Sequence, residues 1–110
     1  MSAADVVQRQ LEAYNAQDLD AFCATYADDC VIADLNGAAT QSGKDAIRAR
    51  YSKTFSDFPQ NRAAVVNRMV LGDVVIDHEK GERSPSGPYF EALVVYTLKN
   101  GLIARVDFVK

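Results

Sequence analysis

Apolar side chains recur at helical spacing from the start of the chain. Val7, Leu11 and Tyr14 share one face, which predicts an amphipathic helix over residues 3 to 16. Asn15-Ala16-Gln17 makes a short break, and Asp18 is placed to cap a second helix by accepting from free backbone N–H groups. Leu19, Phe22, Cys23 and Tyr26 give that second helix a continuous apolar face, so the two should pack as a hairpin. A short strand follows over Cys30-Val31-Ile32-Ala33-Asp34-Leu35 and stops at the turn pair Asn36-Gly37. Ser42-Gly43-Lys44-Asp45 has the spacing of a capping box. It opens a third helix through about Phe55, with Ile47, Tyr51 and Phe55 inward, and Pro59 ends any extension.

From Asn61 the period shortens to that of strands. Residues 62–71, 73–80, 89–99 and 102–110 read as four strands. Gly72-Asp73 and Asn100-Gly101 are tight-turn pairs, so these strands should run antiparallel in hairpins, while residues 81 to 88 form a longer loop. Helices first and a meander after predict an α+β domain, with the helices covering one face of a curved sheet.

Composition narrows the class. The 110 residues suit one domain, 1–110, and 48% apolar content supports a core without metal or disulfide staples. A net charge of -3 with interspersed charges argues against a nucleic-acid partner, because phosphate binding needs a clustered basic face; Arg48, Arg50 and Lys53 read as a solvated helix face. Cys23 and Cys30 lie far from the single His78, which gives no zinc spacing, and nothing implies a metal or cofactor. The first residues have no basic start and there is no long apolar run. No signal peptide or membrane partner is therefore expected, the location is expected to be cytoplasmic, and the thiols should be reduced.

Three segments carry a family resemblance: Tyr26-Ala27-Asp28-Asp29-Cys30-Val31, Gly43-Lys44-Asp45-Ala46-Ile47 opening the third helix, and the final hairpin Asn100-Gly101-Leu102-Ile103-Ala104-Arg105-Val106. With the element order, they resemble the nuclear transport factor 2-like superfamily, in its SnoaL-like and ketosteroid-isomerase-like branch. The resemblance spans essentially the whole chain and implies a cone: a cystatin-like, curved antiparallel sheet wrapped around three N-terminal helices, with one pocket. Many members of the superfamily pair as homodimers through the outer sheet face. Its members include isomerases, cyclases, hydratases and binders without activity, so chemistry must be argued from the site.

Two titratable residues stand out as catalytic candidates. Asp34 sits in an apolar strand, where desolvation would raise its pKa toward that of a general base, and it falls where ketosteroid isomerases keep theirs; as a turn residue it would instead start the Asn36-Gly37 turn. His78 shares a strand face with Val74 and Ile76, read as the pocket side, which sends Asp77 and Glu79 outward. The oxyanion donors of the isomerases are not matched: those positions fall nearest Gln10 and Val94, leaving Tyr14 or Tyr96 as stand-ins. Tyr14, Tyr51, Phe55, Phe90, Tyr96 and Phe108 are expected to line the pocket, with Ala92, Val94 and Leu98 on the inner face of one strand and Leu102, Ala104 and Val106 on that of the next. Arg68 reads as a salt-bridge residue or, alternatively, one that orients an anionic ligand. The expected ligand is small and largely apolar, with one carbonyl or hydroxyl. The expected function is acid/base catalysis without a cofactor, with Asp34 as base; the alternatives are a ligand carrier and a dimerisation module. Leu93, Val95 and Ile103 on the opposite sheet face predict that a second copy covers it.

Overall fold

The computed structural model describes residues 1–109. Among them the elements run α1 (Ala3–Ala16), α2 (Leu19–Cys23), β1 (Tyr26–Asp34), β2 (Ala39–Ser42), α3 (Lys44–Asp57), β3 (Arg62–Leu71), β4 (Val74–Glu82), β5 (Tyr89–Lys99) and β6 (Leu102–Val109). The six strands form one curved, unclosed sheet in the order β2-β1-β6-β5-β4-β3, with the helices packed against it. The fold class expected from the chain is the one observed. Lys110, the end of the last expected strand, lies outside the described residues.

Local chemistry sets the helix ends. Ser2 and Asp5 form a reciprocal capping box on α1, each backbone N–H donating to the other side chain at 3.2 Å. The helix closes on Gln17 in the left-handed region, φ 59°. Asn15 then ties α1 to β3: its amide donates to the Ala63 carbonyl at 2.9 Å and accepts from the Ala63 N–H at 2.8 Å. The Asp18 carboxylate caps α2 as expected, accepting from the Ala21 N–H at 3.1 Å.

Four expectations need correction. Tyr26 opens β1 rather than extending α2, but its ring still packs against Phe22 with centroids 5.1 Å apart. The residues cluster as their spacing suggests; only the backbone between them differs. Ser42 does not cap α3: it belongs to β2, a strand absent from the sequence reading, and Gly43 takes the cap position at φ 88° without a side-chain bond. The sheet is also not wholly antiparallel, because β1 runs parallel to β6. Finally, β6 changes phase. Thr97 pairs with Arg105 but Leu98 pairs with Ile103, so a bulge falls between them and both Ile103 and Val106 turn inward, while Leu102 stays exposed.

The core lies between the concave face and the helices. Val7, Phe22, Cys30, Ile47, Val75, Val94 and Ile103 are all fully buried. Phe22 is its centre, with rings of Tyr51 at 4.5 Å, Tyr26 at 5.1 Å and Phe55 at 6.0 Å. Burying such a ring contributes about 1.5–3 kcal/mol. Cys23 and Cys30 are both buried free thiols.

Candidate functional site

The alternation of β4 decides what the concave face offers. Val75 and Asp77 are buried and Glu79 is half-buried, facing the helices, whereas Val74, Ile76 and His78 lie on the outer face. This reverses the expected facing of the strand. The His78 ring lies in hydrogen-bond contact with the carboxylate of Glu91, a residue of the cavity wall, and is not itself among the cavity residues. Asp34 is not among the cavity residues either. It sits exposed at the end of β1, where its carbonyl accepts from the Gly37 N–H at 2.8 Å to close the turn. Two strands, β6 and β5, separate Asp34 on β1 from His78 on β4, so the two catalytic candidates are not brought together.

A cavity of about 380 Å³ opens between α1, α3 and the strands β1, β4, β5 and β6. Tyr14 from α1, Tyr51 from α3, Phe90 and Tyr96 from β5 and Phe108 from β6 all lie on its wall. Phe55 lies behind them, its ring 5.7 Å from Tyr14 and 6.3 Å from Tyr51. At Gly81 the absence of a side chain shapes the rim, since a Cβ there would stand 2.0 Å from Cζ of Phe90. Phe90 therefore lies flat across the strand instead of projecting away from it.

Two acidic residues, Glu79 and Glu91, stand on this wall; Glu91 is exposed and Glu79 is half-buried among the aromatic rings. The Tyr96 hydroxyl donates to Oε2 of Glu79 at 3.1 Å. Burial pushes the Glu79 carboxyl up to about 7, and neighbouring Asp77 adds to the rise; the Tyr96 hydrogen bond and Arg68 work against it. Tyr26 faces the same cavity, and its hydroxyl oxygen accepts from Nε2 of the buried Gln10 at 3.1 Å. That leaves the Tyr26 proton to offer elsewhere. Burial raises Tyr26 and Tyr96 well above the ordinary phenol value and Tyr51 to about 12, so all three remain protonated donors.

Cations border the same space. Arg50 lies 5.2 Å from the Tyr51 ring and 5.7 Å from the Phe108 ring, held by Oε1 of Gln41 at 2.6 Å. Arg83 stacks 4.6 Å from Phe90 and 5.3 Å from Phe58, held by Oδ1 of Asn61 at 2.8 Å. Arg68 is not among the cavity residues. Its guanidinium grips buried Asp77 with a pair of bonds at 2.7 and 2.9 Å and reaches Gln8 at 3.0 Å, a structural pair beneath α1. Among the described residues no group of three or more His, Cys, Asp or Glu could hold a metal ion.

Sequence reasoning missed Glu79, Tyr26, Gln10, Arg50 and Arg83. The signal for Glu79 was indirect. Tyr96 was placed inward, and its ladder partner Val75 must share that face, which carries Asp77 and Glu79 inward too. Using that signal requires the β4–β5 register, which the loop between the strands does not reveal.

The family model of the SnoaL-like domain matches residues 7–106. The fold is similar to that of an uncharacterized cystatin-fold protein from Novosphingobium aromaticivorans, with TM-score 0.91 and 28% identity over 100% of this chain and 99% of that one. It is also similar to a protein from Sinorhizobium meliloti provisionally called a polyketide cyclase, with TM-score 0.80 and 28% identity over 96% and 94% of the two chains. A hypothetical protein of ketosteroid isomerase-like fold from Catenulispora acidiphila, solved with trimethylamine, shares the fold at TM-score 0.75 and 15% identity over 96% and 84%.

Proposed function

Starting from the fact that this chain belongs to the SnoaL-like domain family, we propose that its cavity is an acid/base site carried by side chains, with Glu79 as the base and a small, largely apolar carbonyl compound as substrate. The observation behind this reading is a carboxyl held up to about 7 inside an aromatic cavity, within 3.1 Å of a phenol that stays protonated. A base with that pKa is half ionised near neutral pH, where proton transfer in both directions is efficient.

The step balances within the site. Ionised Glu79 takes a proton from a carbon beside the substrate carbonyl. The C–H bond breaks and its electron pair moves into the carbonyl to give an enolate oxygen. Tyr26, already accepting from Gln10, donates a hydrogen bond to that oxygen. The enolate then takes the proton back from Glu79 at another carbon, which is isomerisation, or its carbon attacks a second carbonyl, whose π pair moves to oxygen; that alkoxide takes the proton from Glu79, which closes a ring and restores the base. The relative called a polyketide cyclase favours ring closure as the natural outcome.

The test is hydrogen–deuterium exchange of 2-tetralone in D₂O, followed by proton NMR. Exchange should be accelerated, should rise with pH to a plateau above about 7, and should fall at least about 100-fold in Glu79→Gln. Asp34→Asn, at an exposed turn, should leave it unchanged. Loss of exchange in Asp34→Asn together with its retention in Glu79→Gln would refute the assignment.

The outer sheet face supports a homodimer, proposed here on a single feature. Met69 at 59%, Leu71 at 87% and Leu93 at 42% exposure lie with Val74, Ile76 and Val95 on one convex surface, a large apolar area for a chain to leave in water.

A further inference from the structure

The cavity carries more positive charge than its proposed proton chemistry uses. Arg50 and Arg83 come from different parts of the chain, α3 and the loop after β4, yet both stand on its wall. Among the described residues neither makes an ion pair with a carboxylate. Each is anchored by one side-chain amide oxygen, Gln41 for Arg50 and Asn61 for Arg83, and each is spread over aromatic rings. An amide oxygen fixes a guanidinium in place without neutralising it, so most of its donors and all of its charge stay available. The two charges act on one spot, since both lower the pKa of the Tyr51 hydroxyl against the effect of burial. Glu79 and Glu91 share the wall, but among the described residues their side-chain partners are Tyr96 and His78, not the two guanidiniums.

We propose that the cavity binds a planar, conjugated ligand bearing one carboxylate, which Arg50 and Arg83 receive while the ring system lies among Tyr14, Tyr51 and Phe90. Stacked, pre-positioned guanidiniums suit the flat carboxylate better than any neutral group of the same size. The aromatic walls favour a flat hydrocarbon body. This rests on the reading of the cavity as a small-molecule site and adds a charge requirement that the proton transfer does not need.

Calorimetric titration with 2-naphthoate and its neutral counterpart 2-naphthamide separates the two. The wild-type protein should prefer the carboxylate by about tenfold or more, and the preference should shrink as salt is raised. Arg50→Gln and Arg83→Gln should each weaken 2-naphthoate severalfold while leaving 2-naphthamide unchanged, the amide serving as the check that the cavity is intact. The double substitution should erase the preference. Equal affinity for the two compounds in the wild type, a preference that survives in the double variant, or no binding of either overturns the proposal. The Glu79 pKa, measured on the same samples by carbon NMR, keeps the two ideas apart. A raised value without carboxylate preference removes the anionic ligand and leaves the base; the preference with an ordinary Glu79 does the reverse.

Discussion

Tyr96 reaches Glu79 along the sheet, not across it. In the β4–β5 ladder Tyr96 stands opposite Val75, and Glu79 stands opposite Ala92, two same-face positions away. The phenol spans that gap to place its hydroxyl 3.1 Å from Oε2. Small residues make room, because Ala92 and Val94 occupy the inward positions of β5 on that path.

The hydrogen bond favours the ionised carboxylate, so removing it has a predictable sign. Tyr96→Phe should raise the Glu79 pKa above about 7, by roughly one unit, since the bond now holds it down against burial. Carbon NMR of labelled glutamate carboxyls reads this directly. A fall in the value would mean that Tyr96 does not donate to the ionised form.

Glu79 should also make stability depend on pH in the direction opposite to most carboxylates. Its folded pKa of about 7 lies above the ordinary 4.5, so the fold favours the protonated form. The contribution is fully present below 4.5, declines as pH rises, and is lost above about 7. Glu79→Gln cannot ionise. Between pH 4 and pH 8 it should gain on the wild type by up to about 2–3 kcal/mol, less whatever solvent screening removes. Urea unfolding at the two pH values measures the difference; a constant gap would contradict the raised pKa.

Gly81 is needed as the floor beneath the Phe90 ring. A Cβ at Gly81 meets the ring at 2.0 to 2.6 Å, so Gly81→Ala must swing Phe90 away and release the Arg83 guanidinium stacked on it. The expected cost is about 1–3 kcal/mol of stability, with weaker binding of any ligand that uses this wall. The paired substitution Gly81→Ala, Phe90→Ala should recover part of the stability loss relative to the sum of the single changes.

The convex face offers a test of association. Glutamate at Met69 and Leu93 would place two charges on the exposed apolar surface. If a second copy covers it, light scattering at micromolar concentration should give a dimer for the wild type and a monomer for Met69→Glu, Leu93→Glu, with the helical core undisturbed. A wild-type monomer would leave that surface without its proposed partner.

Much of this protein is written in local pattern. The amphipathic period of α1, the Asp18 cap, the inward Ile47, Tyr51 and Phe55 of α3, and the Asn100-Gly101 turn, with both residues at positive φ, follow from neighbours within a few positions. Five of the six aromatic residues expected around a pocket line the cavity for the same reason, since a large apolar ring on an inward face has nowhere else to go. The short edge strand β2 carries almost no apolar signal, being mostly exposed, and so left no trace in the pattern.

The acid/base group is a different matter. β4 reads Val-Val-Ile-Asp-His-Glu, apolar and titratable on both alternating faces, so either phase satisfies its own composition. A shift of one residue exchanges Glu79 for His78. Only pairing with β5, which puts Val75 opposite Tyr96, selects the phase. Likewise Arg50 and Arg83 share a wall only because α3 and the β4–β5 loop both border the cavity. The sequence by itself determined the fold class, the helix faces and the aromatic character of the cavity, because each follows from short-range periodicity and burial of apolar area. The tertiary structure alone decided which charges share that cavity, because strand register and bulges are set by contacts distant in the chain.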